Sequence, residues 1–361
     1  MRLTFPLYYS NGLTVNQKYN EYVGVLHIHS KYSDGSGSIK KIAKEAKDAG
    51  LDYVVITDHN SIKALSKGEE GWYDDILVLV GEEIGVKRAE HYVALDIKER
   101  IHPDVFHRKI HQYVEAVKRQ GGLGFVAHPY GLKKLFFRLK IASWKSWDEQ
   151  DFTGIEIWSY MHDWSQSISL FNLPYYYLYP HKAIDGPPKE ILQEWDLLCQ
   201  KRRVVGIGAS DVHAKYVFPF SMVQFLSYKR NFHGVRTHLL IESPLNSDLN
   251  ESKRVVYKVL GSGHCFFAYD YEVDSRGFTF EVITDGERLI MGDECKLHGK
   301  AELVINSPIP ALIRLIKDGQ VIIESKDTTK LVHETNECGV YRIEAIHNGK
   351  PWVFTNPIYL R

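Results

Sequence analysis

The chain has 361 residues, 44% of them apolar and 25% charged, a globular composition on a scale that favours two domains. Its 45 basic and 45 acidic residues cancel, which removes the basic surplus expected of a nucleic-acid binder. The cysteines at 199, 265, 295 and 338 stand singly, so a disulfide framework or zinc finger is not expected and a reducing, cytoplasmic setting is.

The N-terminal stretch MRLTFPLYYSNG is interrupted by Pro6 and is too short for a secretory core; no run reaches the roughly 18 apolar residues of a membrane helix. Apolar runs at 23–29, 53–57, 76–80, 91–97, 123–127, 154–158 and 204–209 read as strands, several nearly continuous in Val, Ile and Leu as if buried on both faces. Helical patterns lie between some of them. Residues 38–49 place Ile39, Ile42, Ala43 and Ala46 on one face and stop at Gly50. Residues 103–120 begin with Pro103, carry Ile110, Val114 and Val117, and end at Gly121-Gly122. This alternation predicts a parallel β/α arrangement, closed or nearly closed into a barrel. Two insertions, 133–146 and 171–180, are rich in Lys, Tyr and other aromatics and read either as walls of a site or as packed loops.

Residues 251–261 predict the last helix of a first domain, 1–268. Beyond it, runs at 278–283, 301–305, 312–317, 321–325, 339–346 and 352–355 alternate in strand fashion. Asp318-Gly319 and Asn348-Gly349 serve as hairpin turns. A small all-β sandwich over 269–361 is expected.

The strand ends carry the chemistry. His27-Ile28-His29 and Asp34, Asp58-His59, Glu82-Glu83, His91, His128, and Asp211 with His213 all fall at the end or start of an apolar run. Residues i and i+2 on a strand share a face, so His27 with His29, and Asp211 with His213, offer paired donors to one side. Carboxylates at a buried strand end are costly unless compensated, and a metal ion would compensate them. Asp58 reads either as a helix cap or as a partner orienting an imidazole. His102, His107 and His111 read as surface residues of a helix.

The ordered set HxH, downstream Asp, TDHN, GxE, His, AHP and SDxH resembles the PHP (polymerase and histidinol phosphatase) family. The tail, with GVYRIEA and NGKPWVFTNPIYL, resembles the subgroup that adds an immunoglobulin-like domain. The resemblance implies a distorted (β/α)7 barrel followed by that all-β sandwich, with two or three divalent ions held by histidine and carboxylate. It implies that His27, His29, Glu83 and Asp211 hold one ion. Glu83 then bridges to a second held also by His91 and His128, and Asp34, His59 and His213 hold a third. Glu83 is preferred to Glu82 because the family pattern counts from Gly81, and Glu156 in GIEIW matches a frequent family position whose role is not derivable from sequence. Asp34 stands where some members have histidine, which favours Mn, Fe or Mg over an all-Zn centre.

Such a set suits metal-assisted hydrolysis, with Glu83, His128 and Asp211 as catalytic residues; GxSxG is absent and no covalent nucleophile is evident. The leading expectation is a phosphoesterase for a small phosphomonoester or nucleotide, with Arg88, Lys133 and Lys215, as well as Lys87 and Arg138, offering cations to the phosphate. The alternatives are a carbamate, ester or amide hydrolase, with Tyr130, Trp158, Tyr160 and Trp164 as an aromatic pocket or as rim packing, and a non-catalytic metal-binding interaction protein. The expected partner is a small molecule, with no nucleic acid and no membrane; homo-oligomerisation is left open.

Overall fold

In the computed structural model, which describes residues 18–85, 89–103, 110–131, 142–169, 171–216 and 226–361, each of the seven apolar runs forms a strand. They are β1 (Asn20–Ile28), β2 (Tyr53–Ile56), β4 (Ile76–Val80), β6 (Tyr92–Leu95), β7 (Leu123–Val126), β8 (Gly154–Ser159) and β9 (Val205–Ala209), with short β3 (Gly71–Tyr73) and β5 (Glu82–Ile84) between. The helices are α1 (Ile39–Asp48), α2 (Lys63–Ser66), α3 (Ile110–Arg119), α4 (Tyr160–Ser167), α5 (Leu173–Leu178), α6 (Lys189–Lys201), α7 (Tyr228–Phe232) and α8 (Leu249–Ser262). Helix α1 shows why the pattern works. The Ser38 side chain caps it by accepting from Lys41 N, and Ile39, Ile42, Ala43 and Ala46 are buried in one cluster with Val25, Val54 and Val78. None of its helices is long and apolar enough to cross a membrane, among the described residues.

The fold is mixed α/β, and the parallel arrangement holds only in part. Strands β1, β2 and β4 run parallel, as do β7, β8 and β9, but β6 is antiparallel to both β5 and β7. The short connection 85–91 accounts for the pairing with β5, because a parallel crossover needs about a dozen residues or more. Strand pairing is also divided rather than continuous around a barrel. Strands β5 to β9 form a five-stranded sheet, and β1, β2, β3 and β4 belong to a fourteen-stranded one. The two meet at one end. Gly81 alone separates β4 from β5, and single bridges join Ile28 to Val212 and His59 to Glu83. Hydrogen bonds from Ser210 N to Leu26 O (2.9 Å) and Asp211 N to His27 O (2.8 Å) tie β9 to β1 there.

The larger sheet continues through β10 (Val235–Ile241) and β11 (Cys265–Tyr269). It then takes in the C-terminal strands β12 (Thr279–Thr284), β13 (Glu287–Ile290), β14 (Glu294–Cys295), β15 (Ala301–Lys317), β16 (Gln320–Thr335), β17 (Gly339–His347), β18 (Lys350–Thr355) and β19 (Ile358–Leu360). The link is antiparallel pairing of β11 with β18. Both expected turns form with left-handed backbone, Asp318 and Gly319 at φ +51° and +82°, Asn348 and Gly349 at +50° and +77°. The runs 301–305 and 312–317 are one strand rather than two, because register shifts between Asn306 and Ala311 absorb Pro308 and Pro310. Phe280, Val282, Leu303, Ile313, Leu315 and Ile343 give these strands a core of their own.

Buried polar links cross between chain segments. Arg342 on β17 donates from Nε and Nη2 to Asp196 of α6 at 2.6 and 2.8 Å. His238 on β10 meets Glu21 Oε1 through Nδ1 at 2.7 Å and Asp270 Oδ2 through Nε2 at 2.9 Å.

Candidate metal centre

Simple strand alternation does not deliver the donors; irregular backbone does. The register of β1 against β2 shifts between Val25 and Ile28, and within that bulge His27 adopts φ +62°. His128 and Asp211, each two residues beyond its strand, adopt φ +28° and +56°. Left-handed backbone is uncommon for residues with a Cβ, and here it re-aims three side chains toward one point.

At that point stands Glu83, buried, with each carboxylate oxygen serving a different set of imidazoles. Oε1 lies 2.6 Å from His91 Nδ1 and 3.0 Å from His128 Nε2. Oε2 lies 2.8 Å from His59 Nδ1, 3.2 Å from His27 Nε2 and 3.3 Å from His29 Nε2. Asp211 is a second hub, with Oδ1 3.0 Å from His29 Nε2 and Oδ2 3.1 Å from His162 Nε2. Toward solvent, Asp34 Oδ1 lies 3.0 Å from His213 Nε2 and 3.8 Å from His59 Nε2. Among the described residues, four groups result whose donor atoms fall within 4.8 Å of one another: His27, His29, Glu83 and Asp211; His59, Glu83 and His91; His128, His162 and Asp211; and His29, Asp34, His59 and His213.

The electrostatics follow from this crowding. Burial disfavours charge on Glu83, but His59, His27 and His91 outweigh it and hold the carboxyl well below its usual range. Asp211 is likewise opposed by burial and held well below by His27, His162 and His29. Burial opposes a proton on His27, yet Glu156, Glu83 and Asp211 raise its pKa well above normal. Burial and His213 push His29 down to about 3; burial and His162 push His128 down to about 4. Burial also acts against His59, which Glu83 lifts to about 9.

Of the remaining expectations, Lys215 does not face the centre freely: its Nζ lies 2.6 Å from Asp34 Oδ2. Arg88 and Lys133, with Lys87 and Arg138, lie outside the described residues, as does His107. Glu82 turns away from the centre. Its Oε2 accepts Ile101 N at 2.9 Å, and burial lifts its pKa to about 7. Asp58 does not cap α2, whose N-cap is Ile62. It accepts Ser30 N, Ser30 Oγ and Ser33 Oγ at 2.8, 2.5 and 2.5 Å and so shapes the loop between His29 and Asp34. Tyr160 and Trp164 are buried in the core rather than placed on a pocket wall. Tyr130 and Trp158 line a cavity of about 330 Å³ that also borders His128 and His162.

Sequence reading missed His162. Its signal is a histidine in the first turn of the helix that follows β8, offset from the strand end by Tyr160 and Met161. Its ring stacks on His128 at 4.2 Å with an interplanar angle of 7°.

The donors fit divalent ions. His27 Nε2 and Glu83 Oε2 are fully buried without a hydrogen-bond partner, a costly state that an ion between them would relieve. Imidazole nitrogens mixed with carboxylate oxygens suit Zn, Fe or Mn.

A mixed α/β chain with a buried histidine and carboxylate centre at its strand ends defines the class. Residues 26–183 match the PHP domain model. The uncharacterized protein MJ1587 of Methanocaldococcus jannaschii is 32% identical over 122 residues, which span 29% of this chain and 66% of that relative. A two-domain protein of Bacteroides vulgatus containing a predicted PHP-like metal-dependent phosphoesterase superposes with TM-score 0.46 at 16% identity, covering 96% of this chain and 98% of its own. PsfC of Pseudomonas syringae PB-5123 gives TM-score 0.42 at 12% identity, covering 69% and 91%.

Proposed function

We propose that the chain is a metal-dependent hydrolase that cleaves a small phosphomonoester or nucleotide. The observation that carries this is Glu83, whose two oxygens face His91 and His128 on one side and His27, His29 and His59 on the other. In this reading His27, His29, Glu83 and Asp211 hold one ion, Glu83, His91 and His128 a second, and Asp34, His59 and His213 a third. Manganese, iron, zinc and magnesium are the candidates. When bound, such ions supply Lewis acidity and lower the pKa of water toward neutrality.

The chain's own residues do the rest. Asp58 clamps the 30–33 loop and so sets His29 against Asp34. His162 Nε2 lies 3.1 Å from Asp211 Oδ2 and holds that carboxylate turned inward. Lys215 beside Asp34 places one cation at the mouth of the centre, where an anionic substrate would arrive. We assign β1, β2, β4 with β5, and β6 to β9 to one distorted seven-stranded barrel, domain 1–268, with 269–361 as an immunoglobulin-like companion and the cytoplasm as its setting.

The test is hydrolysis by manganese-loaded protein of p-nitrophenyl phosphate beside an aryl acetate and an aryl carbamate, with His128→Ala as background. Phosphate cleavage above background supports the reading. Cleavage of the carbonyl substrates alone moves the protein to carbamate or ester chemistry. Failure of chelation to lower the melting temperature would remove the metal from the argument altogether.

A further inference from the structure

Strand β16 leaves one side of the larger sheet open: among the described residues it pairs with β15 alone. It is 16 residues long, and a free edge of that length is a template for another strand. Among its exposed side chains, Val321, Ile322 and Val332 are apolar, at 50%, 42% and 44% exposure, and they alternate with charged ones such as Glu324 and Lys330. A register shift at Asp327, φ +50°, divides the strand into halves 320–325 and 329–334. In both halves the even-numbered residues 322, 324, 330, 332 and 334 are exposed, while 323, 325, 331 and 333 are half-buried.

We propose that β16 pairs antiparallel with β16 of a second copy of this chain, about a twofold axis at Asp327. This register sets Ile322 against Val332 and Glu324 against Lys330 on the exposed face, and Ile323 against Leu331 on the other. Each pair occurs twice, as an isologous interface requires. Apolar and opposite-charge cross-strand pairs both stabilise a ladder. Glu324 already accepts Arg314 Nε at 2.8 Å, so Lys330 would complete a chain of alternating charge. Neighbouring registers lose the match. A shift of two residues one way puts Ile322 opposite Lys330; the other way puts it opposite Glu334 and sets Lys326 against Lys330. Shifts by one pair the exposed face with the covered one. Asp327 has no register partner in β15 and adopts φ +50°, so the interface consists of two short ladders flanking it.

The experiment is light scattering on the full chain after size exclusion, with circular dichroism to confirm folding. The expected mass is twice 41.6 kDa. Ile322→Glu and Val332→Lys should each weaken the dimer about tenfold or more, and the double variant should restore it, because the introduced charges then face each other. A monomeric wild type at about 100 µM, well above a micromolar Kd, overturns the proposal. So does a dimer indifferent to both single variants, or a double variant no better than the singles.

Discussion

Glu156 supports His27 from behind: its Oε1 lies 2.6 Å from His27 Nδ1, while its Oε2 accepts the backbone N–H of His128 at 2.8 Å. One buried carboxylate thus fixes a side chain at the end of one strand and the backbone at the end of another. With Nδ1–H donated to Glu156, His27 presents Nε2 toward Glu83 and Asp211.

Glu156→Gln should therefore lower metal affinity roughly 10- to 100-fold with the fold retained, the usual consequence of losing a ligand's orienting partner. Metal content after dialysis against a buffered ion, with circular dichroism alongside, is the measurement. Unchanged affinity would leave Glu156 as packing only.

Glu83→Gln should abolish metal retention and activity, because one oxygen set is converted to a donor that repels the cation. Glu82→Gln should leave both nearly intact and raise stability slightly at neutral pH, since burial already lifts its pKa to about 7. Elemental analysis and melting curves on both variants test the pair, and the reverse ranking would place the wrong carboxylate in the centre.

The His238 network predicts a pH dependence of stability away from the metal centre. Burial opposes its proton, but Asp270 and Glu21 lift the pKa to about 9 from 6.5. The folded pKa exceeds the unfolded one, so this contribution is complete below about pH 6.5 and is lost as pH rises through 9. It is on the order of 3 kcal/mol. Ser275 Oγ and Arg236 also face the Asp270 carboxylate and would soften the slope without reversing it. Melting temperature across that range should fall in wild type and stay flatter in His238→Gln; parallel curves would exclude His238 as the source.

Arg342→Ala should destabilise by about 3–5 kcal/mol, because it strands the buried carboxylate of Asp196. Replacing both residues should cost less than replacing Arg342 alone, a sign that chemical denaturation of the three variants can read.

The strand-end donors were legible because an apolar run that stops at His, Asp or Glu states both an element and its chemistry. Gly50 and the Asp-Gly and Asn-Gly turns were legible for the same local reason, whereas the Ser38 cap emerged only from the fold. Glu156 was visible but mute: its partner His27 lies 129 residues earlier in the chain, and only the pairing of strands brings them together. His162 escaped because it sits on a helix, beyond the strand end that marked the others. The reversal of β6 escaped because periodicity carries no strand direction; the short 85–91 connection was the available clue. The fused β15 escaped because the two runs alternate separately on either side of Pro308 and Pro310, and only strand pairing shows the bulge that joins them.

The left-handed backbone at His27 and His128 has a consequence for ancestry. Such positions cost on the order of 1–3 kcal/mol for a side chain with a Cβ, and the cost persists only while those imidazoles are needed. A lineage that abandoned the chemistry would drift first to glycine or asparagine at these two places, gaining durability as it lost the ligands. Glycine at either place should therefore relax the backbone while removing an imidazole from the centre, so stability and metal retention should move in opposite directions there.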